Sequence, residues 1–439
     1  MSDESGRKVT VPISRRGLLL AGAGAAAAVA LPKRATAFSQ RIRWDTIVIG
    51  AGVFGAWTAR RLREAGQRVL LVDAWAPAHA RASSGGESRM TRGAYGADEL
   101  YTRMAWDSLP EWRALSERAG LPVFHNCGFL FLFPRDHDYL ERTLAVYQRL
   151  GINYEVHGRA GVISQVPAIE VGMDEVGFFD IHFGALMARR AVQTLVAEFV
   201  AAGGQYRRAA ILPPRGAGSQ LDSVMPLGAR PHPMLGDGSL LAERFVFACG
   251  PWLPRLFPDL LGTRIFPTRQ EVFFFAPPPG DARFQPPAAR GLRGLPGWAD
   301  FNGGDIYYGM PDLEGRGFKI ARDAHGPRID PDSGDRGHSP EALADVRAYM
   351  ARRFPALAEA PLNEARVCQY ENSANGDLLI DRHPRWENVF LVGAGSGHGF
   401  KHGPAVGRYA AELVLGRLGT PEPRFSLATK GEVENREVH

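Results

Sequence analysis

Cysteine is scarce in this sequence: 439 residues carry three, Cys127, Cys249 and Cys368. An odd number this small supplies no disulfide framework, so the fold must rest on its core. Runs of about twenty apolar residues are missing beyond the N-terminal stretch, and no membrane span is expected in the rest of the chain. An excess of one charge sign is missing too. Lys and Arg number 52 against 47 Asp and Glu. Residues 1–37 hold six of those basic and two of those acidic residues, so the remainder has 46 and 45, a net charge of +1. With no basic stripe, a nucleic-acid partner is not expected.

The first 37 residues do have a pattern. Ser14-Arg15-Arg16-Gly17-Leu18-Leu19-Leu20 precedes an Ala/Gly-rich apolar stretch to Leu31, and Ala35-Thr36-Ala37 offers small residues for cleavage. This reads as a twin-arginine signal peptide over 1–37, with Leu18 where the usual pattern prefers Phe. A membrane anchor or a misplaced start is the alternative. The signal implies the twin-arginine export machinery as a partner and a periplasmic or secreted location. That route carries folded proteins already loaded with their cofactors.

Thr46-Ile47-Val48-Ile49 is a continuous apolar run, as a buried parallel strand requires. Gly50-Ala51-Gly52-Val53-Phe54-Gly55 follows, then a helical stretch to about Ala65, then the strand Val69-Leu70-Leu71-Val72-Asp73. Strand, glycine turn, helix, strand and acid form a dinucleotide-binding unit. Gly50 permits the tight turn, Gly52 lets the backbone approach a pyrophosphate, and Gly55 lets helix and strand pack closely. The helix N-terminus offers free N–H groups to phosphates, and Asp73 can accept from ribose hydroxyls.

Residues 99–118 and 185–203 read as helices. Gly128–Phe133, Phe245–Gly250 and Glu271–Phe275 read as strands, and 210–240 and 276–300, rich in Pro and Gly, as loops. The section from about 265 to 365 reads as a sheet with one helix, about Pro340 to Phe354. Near the C-terminus, Val389-Phe390-Leu391-Val392 leads into Gly393-Ala394-Gly395-Ser396-Gly397-His398-Gly399-Phe400 and a helix from about Pro404 to Leu415. A second glycine turn so far along the chain suits a flavin, whose ring must be held as well as its phosphates. A helix N-terminus facing that ring would stabilise its reduced, negative form.

Four separated motifs carry a family resemblance. They are Ser83-Ser84-Gly85-Gly86-Glu87-Ser88-Arg89-Met90-Thr91-Arg92 with Ala94-Tyr95-Gly96; Ile306-Tyr307-Tyr308-Gly309-Met310-Pro311 with Gly317-Phe318-Lys319-Ile320; Arg366-Val367-Cys368-Gln369-Tyr370; and Gly397-His398-Gly399-Phe400-Lys401. With them the chain, from about Trp44 to Phe425, resembles the D-amino-acid-oxidase-like flavoproteins, in their monomeric sarcosine oxidase and N-methyltryptophan oxidase branch. The resemblance implies FAD, covalently attached through Cys368 by a thioether that needs a thiolate. It places Ser84, Arg89, Gly395, Gly397, His398, Gly399, Phe400 and Lys401 at the cofactor, beside Gly50, Gly52, Val53, Phe54, Gly55 and Asp73. It puts Lys319 near the flavin's reactive edge, where a fixed cation stabilises superoxide as oxygen is reduced. Arg89, Tyr308, Asp323 and His398 join it as catalytic candidates. Arg92, Lys401 and Tyr370 fall to the substrate, with Arg92 able to hold a carboxylate bidentately. Cys127 and Cys249 read as core.

Two positions depart from the family. Its substrate-side histidine, four residues beyond the lysine, is Asp323 here, and a histidine of the first loop is Gly85. A negative charge near the amine points to a cationic or larger substrate than sarcosine.

The expected fold is mixed α/β: an FAD-binding Rossmann-like domain (43–125, 160–265, 366–425) interleaved with an antiparallel-sheet substrate domain (126–159, 266–365), then a tail from 426 to 439. The expected activity is oxidation of the C–N bond of a small secondary amine or amino acid to an imine, with oxygen reduced to hydrogen peroxide and no metal required. Two other readings stay open: an exported flavin dehydrogenase with another electron acceptor, and a flavin-binding protein without turnover.

Overall fold

The computed structural model describes residues 43–230, 237–287, 293–302, 304–324 and 326–432. The twin-arginine segment lies outside them, as do parts of the loops expected over 210–240 and 276–300. Among the described residues no helix is long and apolar enough to cross a membrane.

The apolar strands do build a parallel layer. Arg43–Ile49 pairs in parallel with Leu240–Phe247 on one side and Val69–Asp73 on the other. Gln205–Arg208 extends the sheet beyond Val69–Asp73, and Val389–Gly393 extends it beyond Leu240–Phe247, both in parallel. Leu379–Arg382 and Ser223–Val224 add antiparallel edges. Ile47, Val48, Leu71 and Leu391 are wholly buried because helices or loops cover both faces. The strands that lead into the two glycine turns are thus separated by one strand, although the turns' starts, Gly50 and Gly393, are 343 positions apart in the sequence.

Helices follow both turns, Val53–Glu64 and Gly403–Val414. They pack against each other through small residues. A Cβ on Gly407 would lie 2.6 Å from Trp57 Cβ, and one on Gly403 2.6 Å from Val53 Cγ2. Trp57 is fully buried and meets Trp112 edge-on with ring centroids 5.4 Å apart. A side chain of this size contributes about 3–5 kcal/mol to stability.

The second layer is an eight-stranded, mostly antiparallel sheet. Ile265–Phe275 lies between Leu362–Ser373 and Phe318–Asp323, with Gln270 opposite Cys368, Thr268 opposite Tyr370 and Phe274 opposite Lys319. Ile306–Met310 pairs next, then Gly297–Asp300, Phe129–Pro134, Glu175–Asp180 and Glu155–Gly158. Strand alternation sorts the side chains. Phe318, Ile320 and Tyr307 face a core with Tyr349 and Phe354 from the helix Pro340–Arg353. Lys319, Ala321, Asp323 and Tyr308 take the other face. A third sheet, Ser88–Thr91, Gly184–Met187 and Phe124–His125, carries the arginine loop.

Two boundaries differ from the expected ones. Glu175–Asp180 and residues 366–373 pair in the eight-stranded sheet, whereas both had been placed with the nucleotide layer. Both segments lie close in sequence to the expected boundaries at 160 and 366, and nothing local states which sheet a strand joins. The tail differs as well. Leu427 and Lys430 are buried, and Lys430 Nζ donates to the Arg424 carbonyl at 2.7 Å.

Candidate active site

The first glycine turn opens a cleft. Gly50 has φ +106°, and a Cβ there would sit 2.2 Å from the Ala248 carbonyl oxygen, so glycine is required. A Cβ on Gly55 would sit 1.9 Å from the Gly50 oxygen, which fixes how closely helix and turn approach. Val53 N donates to Ser84 Oγ at 3.1 Å, and the first turn of this helix carries no acidic residue. Its N-terminus is therefore free to meet an anion. Asp73 accepts from Ala51 N at 2.8 Å and Trp75 N at 2.9 Å, tying the second strand to the turn. Burial raises its carboxyl above the ordinary aspartate value.

Gly50, Gly52, Val53, Phe54, Asp73 and Ser84 line a cavity of about 660 Å3, together with Gly395 and Gly399 from the far turn. That volume falls in the range of about 300–1,000 Å3 typical of ligand clefts. Ser83 Oγ and Glu371 Oε1 are buried without partners at this cleft. An anion-ready helix end at one side and orphaned polar atoms farther along fit an extended dinucleotide such as FAD.

A smaller pocket of about 80 Å3 adjoins it. Arg92, Lys319, Asp323, Tyr308, His398 and Lys401 line it, with Phe131, Val272 and Phe301 as apolar walls. Arg89, Cys368, Tyr370, Gly397 and Phe400 line both cavities. The two therefore meet where the resemblance places the flavin ring. All the site residues expected from sequence converge on these cavities, except Gly55, which supports Gly50 from behind. Gly397 shows why a glycine stands at the junction. Its φ is +80°, and a Cβ would press to 2.6 Å from the Tyr370 ring.

Two pairs of basic side chains line the small pocket: buried Lys319 with half-buried Arg89, and buried Lys401 with buried Arg92. Lys319 Nζ donates to Ser88 O at 2.8 Å and to Ser88 Oγ at 3.3 Å. Burial, with Arg89 adding repulsion, brings its ammonium down to about 7. Arg89 donates to the carbonyls of Ser88 and Ser83 and to Cys368 Sγ at 3.2 Å. Cys127 is a core thiol, pushed up to about 11 by burial; Cys249, expected in the core, is instead half-buried and lines the cofactor cleft, and burial raises it too.

The second pair is Arg92 and Lys401. Lys401 Nζ donates to Tyr95 OH at 2.8 Å and to the His398 carbonyl at 2.7 Å. Burial pushes Lys401 well below an ordinary lysine; Arg92 adds to this and Asp323 opposes it. Arg92 donates to the Ala94 carbonyl and lies 4.0 Å over the Tyr95 ring. Tyr95 thus touches both cations. Asp323 accepts from Tyr370 OH at 3.3 Å, and Tyr370 OH lies 3.4 Å from Tyr308 OH. Burial raises Tyr308 to about 12, so it stays a neutral hydroxyl.

His398 is more constrained than a proton-transfer group needs to be. Its Nε2 faces the Gly376 carbonyl at 3.1 Å, which assigns the hydrogen there, and its Nδ1 lies 3.2 Å from Tyr95 OH. The ring ties the second turn to the arginine loop. Tyr95, Ser88 and Glu371 were not singled out from sequence. Tyr95 lies three residues beyond Arg92, but only folding shows that it also meets Lys401.

The comparisons with known proteins agree with this geometry. The model of the family described as FAD dependent oxidoreductase matches residues 45–413. The chain is 30% identical over 405 residues to N-methyl-L-tryptophan oxidase of Citrobacter koseri, covering 88% of this chain and 97% of that one. It is 28% identical over 385 residues to peroxisomal sarcosine oxidase of Homo sapiens, covering 86% and 93%. Among solved structures, L-proline dehydrogenase from P. horikoshii matches with a TM-score of 0.73 over 88% of this chain and 97% of that one, a likeness of fold at 19% identity. By the span of the family match and the closeness of these relatives, the chain belongs to the FAD dependent oxidoreductase family.

Proposed function

We propose that this chain oxidises the C–N bond of a small secondary amine or amino acid, of the N-methyl or cyclic type, and passes the electrons to oxygen to give hydrogen peroxide. One observation carries the reading: a small pocket bearing three buried basic side chains, Arg92, Lys319 and Lys401, and the Asp323 carboxylate opens onto the cofactor cleft through Arg89, Cys368, Tyr370, Gly397 and Phe400. FAD held in the cleft supplies the acceptor for two electrons and one hydrogen from the substrate carbon. The protein positions and polarises around it.

Arg92 and Lys401 hold the substrate carboxylate, their positions set by Tyr95. Asp323 faces the amine, and Tyr308 and Tyr370 orient it with neutral hydroxyls. Phe131, Val272 and Phe301 exclude water from the far wall. Lys319 supplies a buried cation where oxygen gains its first electron. Arg89 donates to the Cys368 sulfur, and that sulfur carries the flavin as a thioether. Residues 1–37 direct the loaded protein through the twin-arginine route to the periplasm or beyond.

Peroxide formation measured against a panel of N-methyl and cyclic amino acids tests the reading. Turnover is expected with at least one small secondary amine bearing a carboxylate. Bound FAD with no peroxide from any amine would contradict it. Acid precipitation tests the thioether: yellow colour is expected in the pellet, and in the supernatant once Cys368→Ser is made.

A further inference from the structure

Among the described residues, three acidic side chains line the cofactor cleft: Asp73, Asp332 and Glu371. Two have evident work. Asp73 holds the first glycine turn, and exposed Asp332 pairs with Arg255 and accepts from Trp252 Nε1 at 2.8 Å. Glu371 is 6% exposed, and its Oε1 has no partner. A buried carboxylate left in that state is costly unless a donor meets it.

The fold explains only part of its setting. The backbone N–H groups of Ala394 and Gly395 face the carboxylate and oppose the rise that burial causes, which still brings it to about 8. Gly393 packs tightly against it, with a Cβ there reaching 2.5 Å from Oε1. A carboxylate serving solely to cap the second turn would not need an open cleft beside it. Glu371 also lies at a defined place along that cleft. Cys368, at the ring end, precedes it by three residues on one strand. Cys249, at the Gly50 end, lies close enough to feel both Asp73 and Glu371. Glu371 is therefore placed between the two ends of the bound dinucleotide.

We propose that Glu371 is a cofactor-binding residue that accepts a hydrogen bond from a hydroxyl of the FAD ribityl chain. FAD has hydroxyl-bearing segments on both sides of its pyrophosphate, and the cleft has one buried carboxylate for each. Asp73 lies toward the adenosine ribose and Glu371 toward the ribityl chain. The unpartnered Oε1 lacks a donor, which a hydroxyl supplies and an ionised phosphate oxygen does not. The inference rests on the family's cofactor and not on the choice of amine.

Affinity of flavin-free protein, prepared in a Cys368→Ser background so that binding is reversible, tests it. The ligands are FAD, FAD analogues lacking the 2′, 3′ or 4′ ribityl hydroxyl, and ADP. Glu371→Gln is expected to weaken FAD about tenfold, as loss of one hydrogen bond does. ADP affinity should not change, and for one deoxy analogue the parent and the variant should bind equally. Unchanged FAD affinity would overturn the proposal. Equal losses for FAD and every deoxy analogue, or a matching loss for ADP, would also overturn it and leave Glu371 a support of the turn. Parent protein that takes up ADP but no FAD would refute the cofactor reading itself.

Discussion

Lys319 and Lys401 are equally buried, at 3% exposure each, yet they sit in different company. Lys319 rises from a strand of the eight-stranded sheet beside Arg89, and the acid nearby is the Cys368 thiol. Lys401 follows the second glycine turn beside Arg92, and the acid nearby is the Asp323 carboxylate. Two like charges in a low-dielectric site repel strongly, so each pair needs compensation. At Lys319 it comes from neutral oxygens of Ser88 and from a thiol that covalent attachment would consume, leaving the cation unmatched until negative charge develops. At Lys401 the acid is a carboxylate that no covalent bond consumes, and a zwitterionic substrate can meet the cations at one end and the anion at the other. Two similar pairs are thus set for opposite purposes in the proposed reaction, because their acids differ.

Three changes would sharpen or break this contrast. Arg92→Ala should have the largest effect. It removes about two charge-assisted bonds, and kcat/KM for carboxylate-bearing amines should fall about a thousandfold in steady-state assays. A fall of less than fivefold would remove Arg92 from the substrate. Lys401→Met should raise KM about ten- to a hundredfold with kcat less affected, and the bound flavin spectrum should hold. The smallest effect concerns stability. The Lys319 pKa is depressed from 10.5 to about 7, so between those values the unfolded chain holds a proton that the folded chain has shed. Its contribution therefore makes the flavin-free protein more stable as pH rises through that window. Urea midpoints at pH 7 and 9.5 should show a smaller rise in Lys319→Met than in the parent. An identical rise would mean that Lys319 carries its ordinary proton in the fold.

The nucleotide-binding unit was legible because it is local. Ile47 to Asp73 contains strand, turn, helix and acid in one span, and Gly50 and Gly55 are needed for reasons the spacing itself states. Lys319 was legible for a similar reason, since Phe318 and Ile320 on either side fix the face of an apolar strand. Tyr95 and Glu371 were not. Tyr95 matters because it meets Lys401, 306 residues away, and Glu371 because a neighbouring turn leaves one of its oxygens without a donor. Neither fact has a periodicity. The sheet boundaries were not legible for the same reason: which sheet Glu175–Asp180 joins depends on its pairing with Phe129–Pro134, about 45 residues away.

The most direct test of the account is rapid-reaction kinetics of the two half-reactions in Lys319→Met. If the two cation pairs divide the work, reduction by amine should stay within about threefold of the parent. Reoxidation by oxygen should slow about a hundredfold, the scale of losing a fixed charge at a reacting centre. Reoxidation at the parent rate, or equal slowing of both steps, would contradict that division.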